Sequence, residues 1–477
     1  MRTLTRRVRL QGARIITTDT RDEQDRERMP VQGIEIQGKR VTAMGLGRFG
    51  GQIAAIRYLY HRGAEILVTD QAAPETLRES IAALRDAEGI CFRFGPHQPE
   101  DFLNADLILA SPAVKPGHAC LRAAAERGIP IVTEMELFLQ NCPARMIAVS
   151  GTVGKSTTAT MLAHLLRAAG FSVQVGGNIG ESLLPQIGQL TSEMLVVLEL
   201  SSFQLHWLRR NSPRFEVALL TSFFPHHLEW HGTAEEYRQC KQALFAGQTA
   251  EDLAVLPAEG LDQSLWPTRG ERRFFSREAV LHRAAFPSDW PPHFLTNAAA
   301  VLRVADWLGI DEAHACQALS TYQPLPHRLE RGDQLQQRIF VNDSKATSPW
   351  AVIAALQALP GPLWLILGGA ISTDNPDTLL QELRMHAGLR GIAWMGPAGR
   401  VWQQHPALAA RCALPAGLES TLVDSLAEAF RWCWEKSREG DTILLSPGAP
   451  SFNEFLHFEQ RGELFRQLAL ASKTASG

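Results

Sequence analysis

The chain has 477 residues, 45% of them hydrophobic, which is enough for two to four domains of roughly 100–200 residues, each with its own core. With 47 Lys and Arg residues against 50 acidic ones, the net charge of -3 gives no reason to expect nucleic acid or another polyanion as a partner. The seven cysteines are scattered without a CxxC pair, which argues against a local zinc or redox motif and favours reduced thiols in the cytoplasm.

The N-terminal segment, residues 1–37, differs from the rest of the chain. Its stretches MRTLTRRVRL and TRDEQDRER are charged and rich in arginine, and the apolar core of a secretory signal does not follow them. No apolar run in the sequence reaches the ~18 residues that a membrane span needs. We therefore expect an extension of unknown role, no membrane span and a cytoplasmic location.

The first regular block, residues 38–134, predicts a Rossmann-like domain. Short apolar runs that end in glycine alternate with amphipathic stretches, which is typical of parallel βαβ units. The motif GLGRFG supplies Gly45 and Gly47 after the first strand, and Asp70 ends the next strand. This arrangement is typical of a nucleotide diphosphate site, and it does not indicate which base the nucleotide carries. Taken literally it predicts NAD, so an NAD-dependent oxidoreductase remains an alternative at this point.

The second block, residues 135–324, contains the strongest motif. Residues 151–157 (GTVGKST) lie between an apolar strand and a helical stretch. Such glycines let backbone N–H groups converge on a phosphate, while Lys155 reaches its oxygens and Ser156 can ligate Mg²⁺. The motif lacks the first glycine of the standard P-loop and is a shorter variant of it. It predicts a P-loop NTPase-like domain; a glycine-rich turn with a surface lysine is the plain alternative.

Two further features of this block concern metal ligands. Glu199 ends an apolar strand, where ligands collect in open α/β sheets, and could hold Mg²⁺ opposite Ser156. A strand-end glutamate on its own is more often a cap. Residues 225–231 (PHHLEWH) carry three imidazoles and a carboxylate. A transition-metal site and a surface loop that happens to contain histidine explain that segment equally well.

The third block, residues 325–477, has four more apolar runs with the same alternation and predicts a second Rossmann-like domain. Proline-rich segments at 290–292 and 323–326 indicate a linker before it. The predicted fold class is therefore α/β with three domains.

Taken together, these motifs resemble those of the Mur ligases over residues 38–470. The family pattern is a GT(x)GK(S/T)T loop, a GGNIG loop, a strand-end glutamate, a histidine after the next strand and a lysine on the following helix. These correspond here to residues 151–157, residues 176–180, Glu199, His227 and Lys241. The C-terminal motifs NDSKAT (342–347) and LLSP followed by a serine and two phenylalanines resemble those of the D-glutamate-adding members.

The resemblance implies an ATP-dependent, amide-forming ligase of peptidoglycan biosynthesis. Its substrates would be ATP, UDP-N-acetylmuramoyl-L-alanine and D-glutamate, and two Mg²⁺ ions would assist. ATP would phosphorylate the terminal carboxylate, because a free carboxylate is a poor electrophile. The amine of D-glutamate would then attack the acyl phosphate and expel phosphate. A monomer that binds no nucleic acid is expected.

The resemblance also assigns residues to sites. The catalytic residues would be Lys155, Glu199, His227 and Lys241. The ATP site would comprise Gly151, Thr152, Gly154, Lys155, Ser156, Thr157, Asn297, Arg328, Asp343 and Lys345. The UDP-sugar site would comprise Gly45, Gly47, Asp70, Ser111 and Asn178. The acceptor amino acid would bind Lys345, Thr347, Ser451 and Phe458. The metal ligands would be Ser156, Glu199, His227 and a carbamylated Lys241.

Four positions depart from the family pattern. His226 stands where an aspartate usually precedes the metal-binding histidine, Phe294 replaces an asparagine of the HNxxN motif, and Val153 replaces the usual P-loop Asn or Lys. Ser372 stands where a lysine usually pairs with the side-chain carboxylate of D-glutamate. A ligase for another amino acid and a weakened paralogue that only binds nucleotide therefore remain alternatives.

Overall fold

The structure is a computed structural model. It describes residues 35–47, 50–281, 286–288, 290–332, 337–409 and 417–474, so most of the predicted extension lies outside the described residues. Three β-sheets organise the chain, and the predicted three-domain α/β fold class is confirmed.

The described residues group into two compact units. The first unit consists of the residues up to Phe223, Glu235–Phe286 and Thr296–Thr321. The second unit consists of Phe224–Ala234, Pro287–Leu295 and the residues from Tyr322 onward. The segment with the three histidines therefore groups with the C-terminal residues. The domain boundaries drawn from the sequence stay predictions.

The first sheet is parallel and has the strand order β3-β2-β1-β4-β5. Its strands are β1 (Arg40–Met44), β2 (Glu65–Asp70), β3 (Cys91–Phe94), β4 (Leu107–Ala110) and β5 (Ile131–Val132). Its helices are α1 (Gly51–Tyr60), α2 (Arg78–Ala82), α3 (Pro99–Leu103), α4 (Ala119–Glu126) and α5 (Glu134–Asn141). The strand order reverses between β1 and β4, and the crevice at such a switch point is where nucleotides bind in open α/β sheets.

The second sheet is also parallel, with the order β11-β10-β9-β6-β8-β7. Its strands are β6 (Arg145–Ser150), β7 (Val173–Gly177), β8 (Leu195–Glu199), β9 (Val217–Leu220), β10 (Leu253–Pro257) and β11 (Glu271–Phe275). The helices in this stretch of the chain are α6 (Lys155–Ala168), α7 (Ser202–Leu208), α8 (Leu228–His231), α9 (Ala234–Gln242), α10 (Pro292–Trp307) and α11 (Glu312–Ser320). Of these, α8 and the first turn of α10 group with the second unit. Every residue of β8 is buried, as expected for a parallel strand covered on both faces.

A single hydrophobic core connects the first two sheets. It includes Val41 and Leu109 of the first sheet and Val196 and Leu256 of the second. This shared core explains why both sheets belong to the first compact unit.

The third sheet has the order β12-β13-β17-β14-β15-β16, and only the pairing of β12 with β13 is antiparallel in the described part of the chain. Its strands are β12 (Glu330–Arg331), β13 (Ile339–Asn342), β14 (Leu363–Gly368), β15 (Leu389–Met395), β16 (Glu419–Val423) and β17 (Thr442–Leu445). Its helices are α12 (Pro349–Ala358), α13 (Asp377–Met385), α14 (Gly396–Gln403), α15 (Pro406–Ala409), α16 (Leu426–Lys436) and α17 (Phe458–Thr474). Because β17 lies between β13 and β14, the loops that follow these three strands meet at one edge. Among the described helices, none has the length and hydropathy needed to cross a membrane.

Candidate active site

The loop between β6 and α6 has the backbone conformation of a phosphate-binding loop. A Cβ atom on Gly151 would lie 1.9 Å from Thr221 Oγ1, and Gly154 adopts a left-handed conformation with φ of 87°. The hydroxyls of Thr221 and Ser222 donate to the carbonyl of Val153 at 2.6 and 3.0 Å. Glycine is therefore required at both positions, and the neighbouring strand end holds the loop in place.

The P-loop residues come together as the sequence predicts. Lys155 is the first residue of α6 and its Nζ donates to Thr152 O at 2.9 Å, while Ser156 is buried in the same helical turn. Asn297 lies beside the loop, because its Oδ1 is 2.9 Å from the position that a Cβ on Gly154 would take. Asn297 Nδ2 is buried and has no hydrogen-bond partner within the described residues.

Glu199 carries a buried carboxylate that is only half satisfied. Its Oε1 accepts from Asn178 Nδ2 at 3.0 Å, and its backbone carbonyl accepts from Asn178 N at 2.7 Å. This approach needs glycine at 177, where a Cβ would lie 2.2 Å from Glu199 O. Oε2 is buried and finds no partner among the residues that the structure covers. An unpaired buried carboxylate oxygen is costly, so the site fits a bound cation.

Lys241 lies on α9 at the same sheet edge and is only 1% exposed. Its Nζ donates to Gly151 O at 2.8 Å and to Ser150 Oγ at 3.3 Å. Within the described part of the chain no acid forms an ion pair with it. Burial, and secondly the charge of Lys155, hold the pKa of Lys241 well below its usual value, although Glu199 acts in the opposite direction. The surroundings therefore favour a neutral amine over an ammonium group.

His227, the remaining predicted metal ligand, belongs to the second unit. It has a left-handed backbone with φ of 55° at the start of α8, and its ring lies 3.7 Å from that of His226. Its Nδ1 is 3.5 Å from Glu229 Oε1. The other three predicted ligands, Ser156, Glu199 and Lys241, belong to the first unit.

The predicted UDP-sugar residues of the first sheet also come together. A Cβ on Gly45 would lie 3.1 Å from Ser111 Cβ. Both oxygens of Asp70 are occupied, since Oδ2 accepts from Leu46 N at 2.7 Å and Oδ1 from Ala72 N at 2.8 Å. Asp70 therefore shapes the glycine-rich loop. Asn178, predicted for the same site, lies against Glu199 in the second sheet.

The second unit brings together the C-terminal site residues. Asp343 follows β13 and accepts from Ser446 Oγ at 2.8 Å and from Leu329 N at 3.2 Å. Burial raises the pKa of Asp343 to about 7. Lys345 Nζ lies 4.0 Å from the centre of the Phe458 ring, a cation–π contact.

Three other predicted residues lie around this group. Arg328 is near enough to influence the Asp343 carboxyl, Thr347 continues the loop after β13, and buried Ser451 lies in the loop after β17. All of these residues belong to the second unit.

The unusual residues Ser372 and His226 share one partner. Asp374 accepts from Ser372 Oγ at 3.1 Å and pairs with His226 Nδ1 at 2.7 Å, while Thr373 Oγ1 donates to Glu229 Oε2 at 2.8 Å. Burial raises the pKa of Asp374, but the hydrogen bond and charge of His226 outweigh it and hold the pKa below its usual value. The loop after β14 is thus tied to the histidine segment through an acid.

Phe294 is part of an aromatic cluster in the second unit. It is 3% exposed, and its ring centre lies 5.0 Å from that of His293 and 6.0 Å from that of Trp290. Burial lowers the pKa of His293 to about 4. The position therefore has an apolar role in packing.

Some residues that shape the site lack any motif in the sequence. Thr221 and Ser222 fix the P-loop carbonyl, and Tyr237 Oη lies 3.0 Å from Thr152 Oγ1. Arg461 is buried beneath the loops of the second unit. Only the position of Thr221 and Ser222 at the end of a predicted strand signals their place in the site.

Two family profiles match the chain: "Mur ligase MurD-like, N-terminal domain" over residues 39–133 and "Mur ligase middle domain" over residues 149–272. A UDP-N-acetylmuramoylalanine–D-glutamate ligase of Rubrobacter xylanophilus is 35% identical over 465 residues, which cover 92% of this chain and 100% of that protein. The chain belongs to the Mur ligase family. Another Mur ligase of the same name, from Koribacter versatilis, is 31% identical and is covered to 98%, with 91% of this chain aligned.

Solved structures of other Mur ligases share the fold. UDP-N-acetylmuramate-alanine ligase MurC from Thermotoga maritima superposes with a TM-score of 0.57 at 20% identity, covering 91% of this chain and 100% of that one. MurF from Acinetobacter baumannii superposes with a TM-score of 0.55 at 14% identity, and the alignment covers 90% of this chain and 93% of that one. At these identities the likeness supports the Mur ligase fold alone.

Proposed function

We propose that this Mur ligase joins D-glutamate to UDP-N-acetylmuramoyl-L-alanine in an ATP-dependent step of peptidoglycan biosynthesis, as a cytoplasmic monomer. Relatives named UDP-N-acetylmuramoylalanine–D-glutamate ligase align over nearly their full length. The observation that carries the proposal is the P-loop at Lys155 together with the half-satisfied carboxylate of Glu199 at the same sheet edge. This pairing is suited to phosphoryl transfer and has no place in a hydride-transfer site.

The reaction requires an activated carboxylate. The terminal carboxylate oxygen of the UDP-linked substrate attacks the γ-phosphorus of ATP, the bond to ADP breaks, and an acyl phosphate results. The amine of D-glutamate then attacks the acyl carbon, and the tetrahedral intermediate expels phosphate to leave an amide. One proton leaves the amine in the process.

The protein contributes mainly position and charge to this chemistry. Lys155 and the backbone N–H groups of residues 151–157 bind the phosphates and offset the negative charge that develops during transfer. Asn297 is placed beside Gly154, with an amide nitrogen available for the nucleotide. By the family resemblance, Asp343, Arg328 and Lys345 would also bind the nucleotide.

Glu199, Ser156, His227 and Lys241 would hold Mg²⁺. Two observations support a Mg²⁺ site here: Glu199 Oε2 is buried without a partner among the described residues, and Mg²⁺ prefers oxygen ligands. When bound, Mg²⁺ draws charge from the phosphate oxygens.

Lys241 would act as a carbamate. Its amine is buried, has no acidic partner in the described chain and accepts no proton readily, which favours addition of CO₂ to the neutral nitrogen. Carbamylation converts a cation into an anionic oxygen ligand. Isotope-labelled bicarbonate should give a carbamate signal in a carbon NMR spectrum of the wild-type protein, and the Lys241→Ala variant should lack that signal.

The two other substrates would bind at separate loops. The UDP moiety would occupy the glycine-rich loop shaped by Asp70, with Gly45, Gly47, Ser111 and Asn178 contributing. The amino acid would bind Lys345, Thr347, Ser451 and Phe458. Formation of the predicted amide, detected by mass spectrometry, tests the function: omission of either ATP or D-glutamate should abolish the product.

A second candidate function is ligation of another amino acid. It is favoured by the loop after β14, which has Ser372 where the family pattern has a lysine and bonds this serine to Asp374. A panel of amino acids, each tested at equal concentration for phosphate release, distinguishes the two. D-Glutamate should give the largest kcat/KM, and a larger value for a different amino acid would replace it as the acceptor.

A further inference from the structure

Arg461 is a buried cation that the chemistry above does not use. It lies on α17 and is 0% exposed. Its Nε donates to Ser344 Oγ at 3.1 Å, its Nη2 to Ser344 O at 2.8 Å and its Nη1 to Ala449 O at 3.1 Å. No carboxylate oxygen in the described chain lies within ion-pair distance of it. The guanidinium is therefore buried among neutral acceptors, an arrangement that is costly for stability alone.

Each contact of Arg461 is next to a residue expected to bind the acceptor. Ser344 precedes Lys345, and Ala449 lies two residues before Ser451. The hydroxyl of Ser344 also donates to the carbonyl of Phe458 at 2.8 Å. One side chain thus joins the loop after β13, the loop after β17 and the start of α17.

The guanidinium also lies beneath the loop after β14. A Cβ on Gly369 would be 3.1 Å from Arg461 Nη1 and 2.5 Å from Pro450 O. Ala370 N donates to the same Pro450 carbonyl at 2.8 Å. Glycine at 369 therefore lets the loop that leads to Ser372 pass directly over the arginine.

Arginine has a specific advantage in this position. Its planar fork presents several N–H donors in fixed directions and can hold two backbone carbonyls at once. A lysine keeps the charge but offers a single nitrogen. A methionine fills much of the same volume but donates no hydrogen bonds. The contacts therefore indicate a geometric role for the guanidinium.

We propose that Arg461 is a positioning residue for the acceptor amino-acid site, acting through Lys345, Ser451 and Phe458 without touching the amino acid. This inference rests on the proposed function, because those three residues are the expected acceptor ligands. It predicts that loss of the fork changes binding of the amino acid more than binding of the nucleotides.

Steady-state kinetics of Arg461→Lys and Arg461→Met test the inference. In both variants the KM for D-glutamate should rise about tenfold or more, while the KM for the UDP-linked substrate stays within about twofold. The KM for ATP should rise less than that for D-glutamate, because Lys345 alone of the three positioned residues also belongs to the expected ATP site. Arg466→Lys is the matched control, since Arg466 lies on the same helix, is partly exposed and pairs with Glu330 at 2.5 Å. The control should leave all three KM values unchanged.

Chemical rescue separates geometry from stability. In Arg461→Ala, millimolar guanidinium should lower the KM for D-glutamate towards the wild-type value, and methylammonium should not. Equal increases in all three KM values, or loss of folded protein in both the Lys and Met variants, would overturn the positioning role. Failure of the wild-type protein to ligate D-glutamate would instead overturn the proposed function, and the kinetics would then be repeated with the amino acid that the panel identifies.

Discussion

The loop after β6 in the first unit and the loop after β14 in the second both follow a buried parallel strand, and both begin with glycine that has no room for a side chain. A Cβ would lie 1.9 Å from Thr221 Oγ1 at Gly151 and 2.5 Å from Pro450 O at Gly369. Their polar groups differ. The first loop lies near Glu199 and Asn297, which keep unpaired buried atoms, whereas in the second loop both oxygens of Asp374 have partners.

The difference shows what each region is built to receive. Unpaired buried polar atoms cost free energy, and those beside the P-loop fit a ligand that will pair with them. The region around the P-loop has such atoms and keeps the family's loop motif except at Val153. The loop after β14 has Ser372 where the family pattern has a lysine and satisfies its own side chains. The proposed function therefore assigns recognition of the acceptor to neighbouring residues.

The largest expected effect is at Lys155. Lys155→Ala should lower kcat for phosphate release by about 10³-fold, because a phosphate-binding cation stabilises the charge of the transition state. The thermal midpoint should change little, since the side chain is only half-buried. Activity near the wild-type level in a coupled phosphate assay would remove the phosphate-site assignment.

The second-largest effect is expected at Lys241. Lys241→Ala should reduce kcat by about 10²–10³-fold, since an anionic ligand of the metal site is lost. Short carboxylic acids in the buffer should restore part of the activity by taking the place of the carbamate. Lys436→Ala is the control, because Lys436 is exposed and pairs with the exposed Glu419. Unchanged kcat at saturating Mg²⁺ would reject the carbamate.

A buried acid in the second unit should make stability depend on pH. The pKa of Asp343 is raised by burial to about 7, so the folded state holds a proton that the unfolded state releases above about pH 4. The destabilising effect of the buried Asp343 carboxyl grows as the pH rises from about 4 to 7 and then levels off. Between these pH values, the free energy of unfolding of Asp343→Asn should therefore increase by about 2–4 kcal/mol relative to that of the wild type. Urea unfolding at a series of pH values measures this difference.

The matched control for this pH effect is Asp106→Asn. Hydrogen bonds from Arg40 hold the pKa of the Asp106 carboxyl below its usual value, so its effect has the opposite sign. That variant should lose stability slightly as the pH rises through the acidic range. If the stability gain of Asp343→Asn does not change with pH, the interpretation of Asp343 as a buried acid is wrong.

Substitution of Asp70 should change the KM for one substrate only. Asp70→Ala removes the acceptor for Leu46 N and Ala72 N, so the glycine-rich loop of the first sheet should lose its shape. The KM for the UDP-linked substrate should rise about tenfold, as expected for loss of hydrogen bonds to a charged group. The KM for ATP should stay unchanged. Equal increases for both substrates would count against separate sites.

The smallest effect is expected at Ser372. Ser372→Lys restores the family cation at a partly exposed position, where an ion pair contributes up to about 1 kcal/mol. The KM for D-glutamate should fall about twofold to fivefold, with Ser372→Ala as the control. A rise in KM would show that the loop after β14 does not face the acceptor and would weaken the contrast between the two regions.

Much of the fold follows from local sequence patterns. The alternation of apolar runs with helical stretches predicted the three α/β parts, and residues 151–157 predicted a strand, a loop and a helix in the right order. These patterns are local because backbone conformation at glycine and strand ends depends on neighbouring residues. Asp70 and Glu199 could be placed at sheet edges for the same reason.

Long-range side-chain partners could not be predicted. His226 and Asp374 are 148 residues apart, and Arg461 reaches Ser344 across 117 residues. Such contacts depend on which strands neighbour one another, as β17 does by inserting between β13 and β14. The grouping of Phe224–Ala234 with the C-terminal residues is equally invisible in the sequence, where that segment follows a strand of the second sheet.

The most direct test of the proposed chemistry follows the oxygen atoms of the substrate. The terminal carboxylate of UDP-N-acetylmuramoyl-L-alanine is labelled with a heavy oxygen isotope, and the phosphate released during ligation of D-glutamate is analysed by mass spectrometry. An acyl phosphate intermediate transfers one carboxylate oxygen to phosphorus, so each released phosphate should carry one labelled oxygen. Unlabelled phosphate, with the label divided between the amide product and water, would contradict the mechanism.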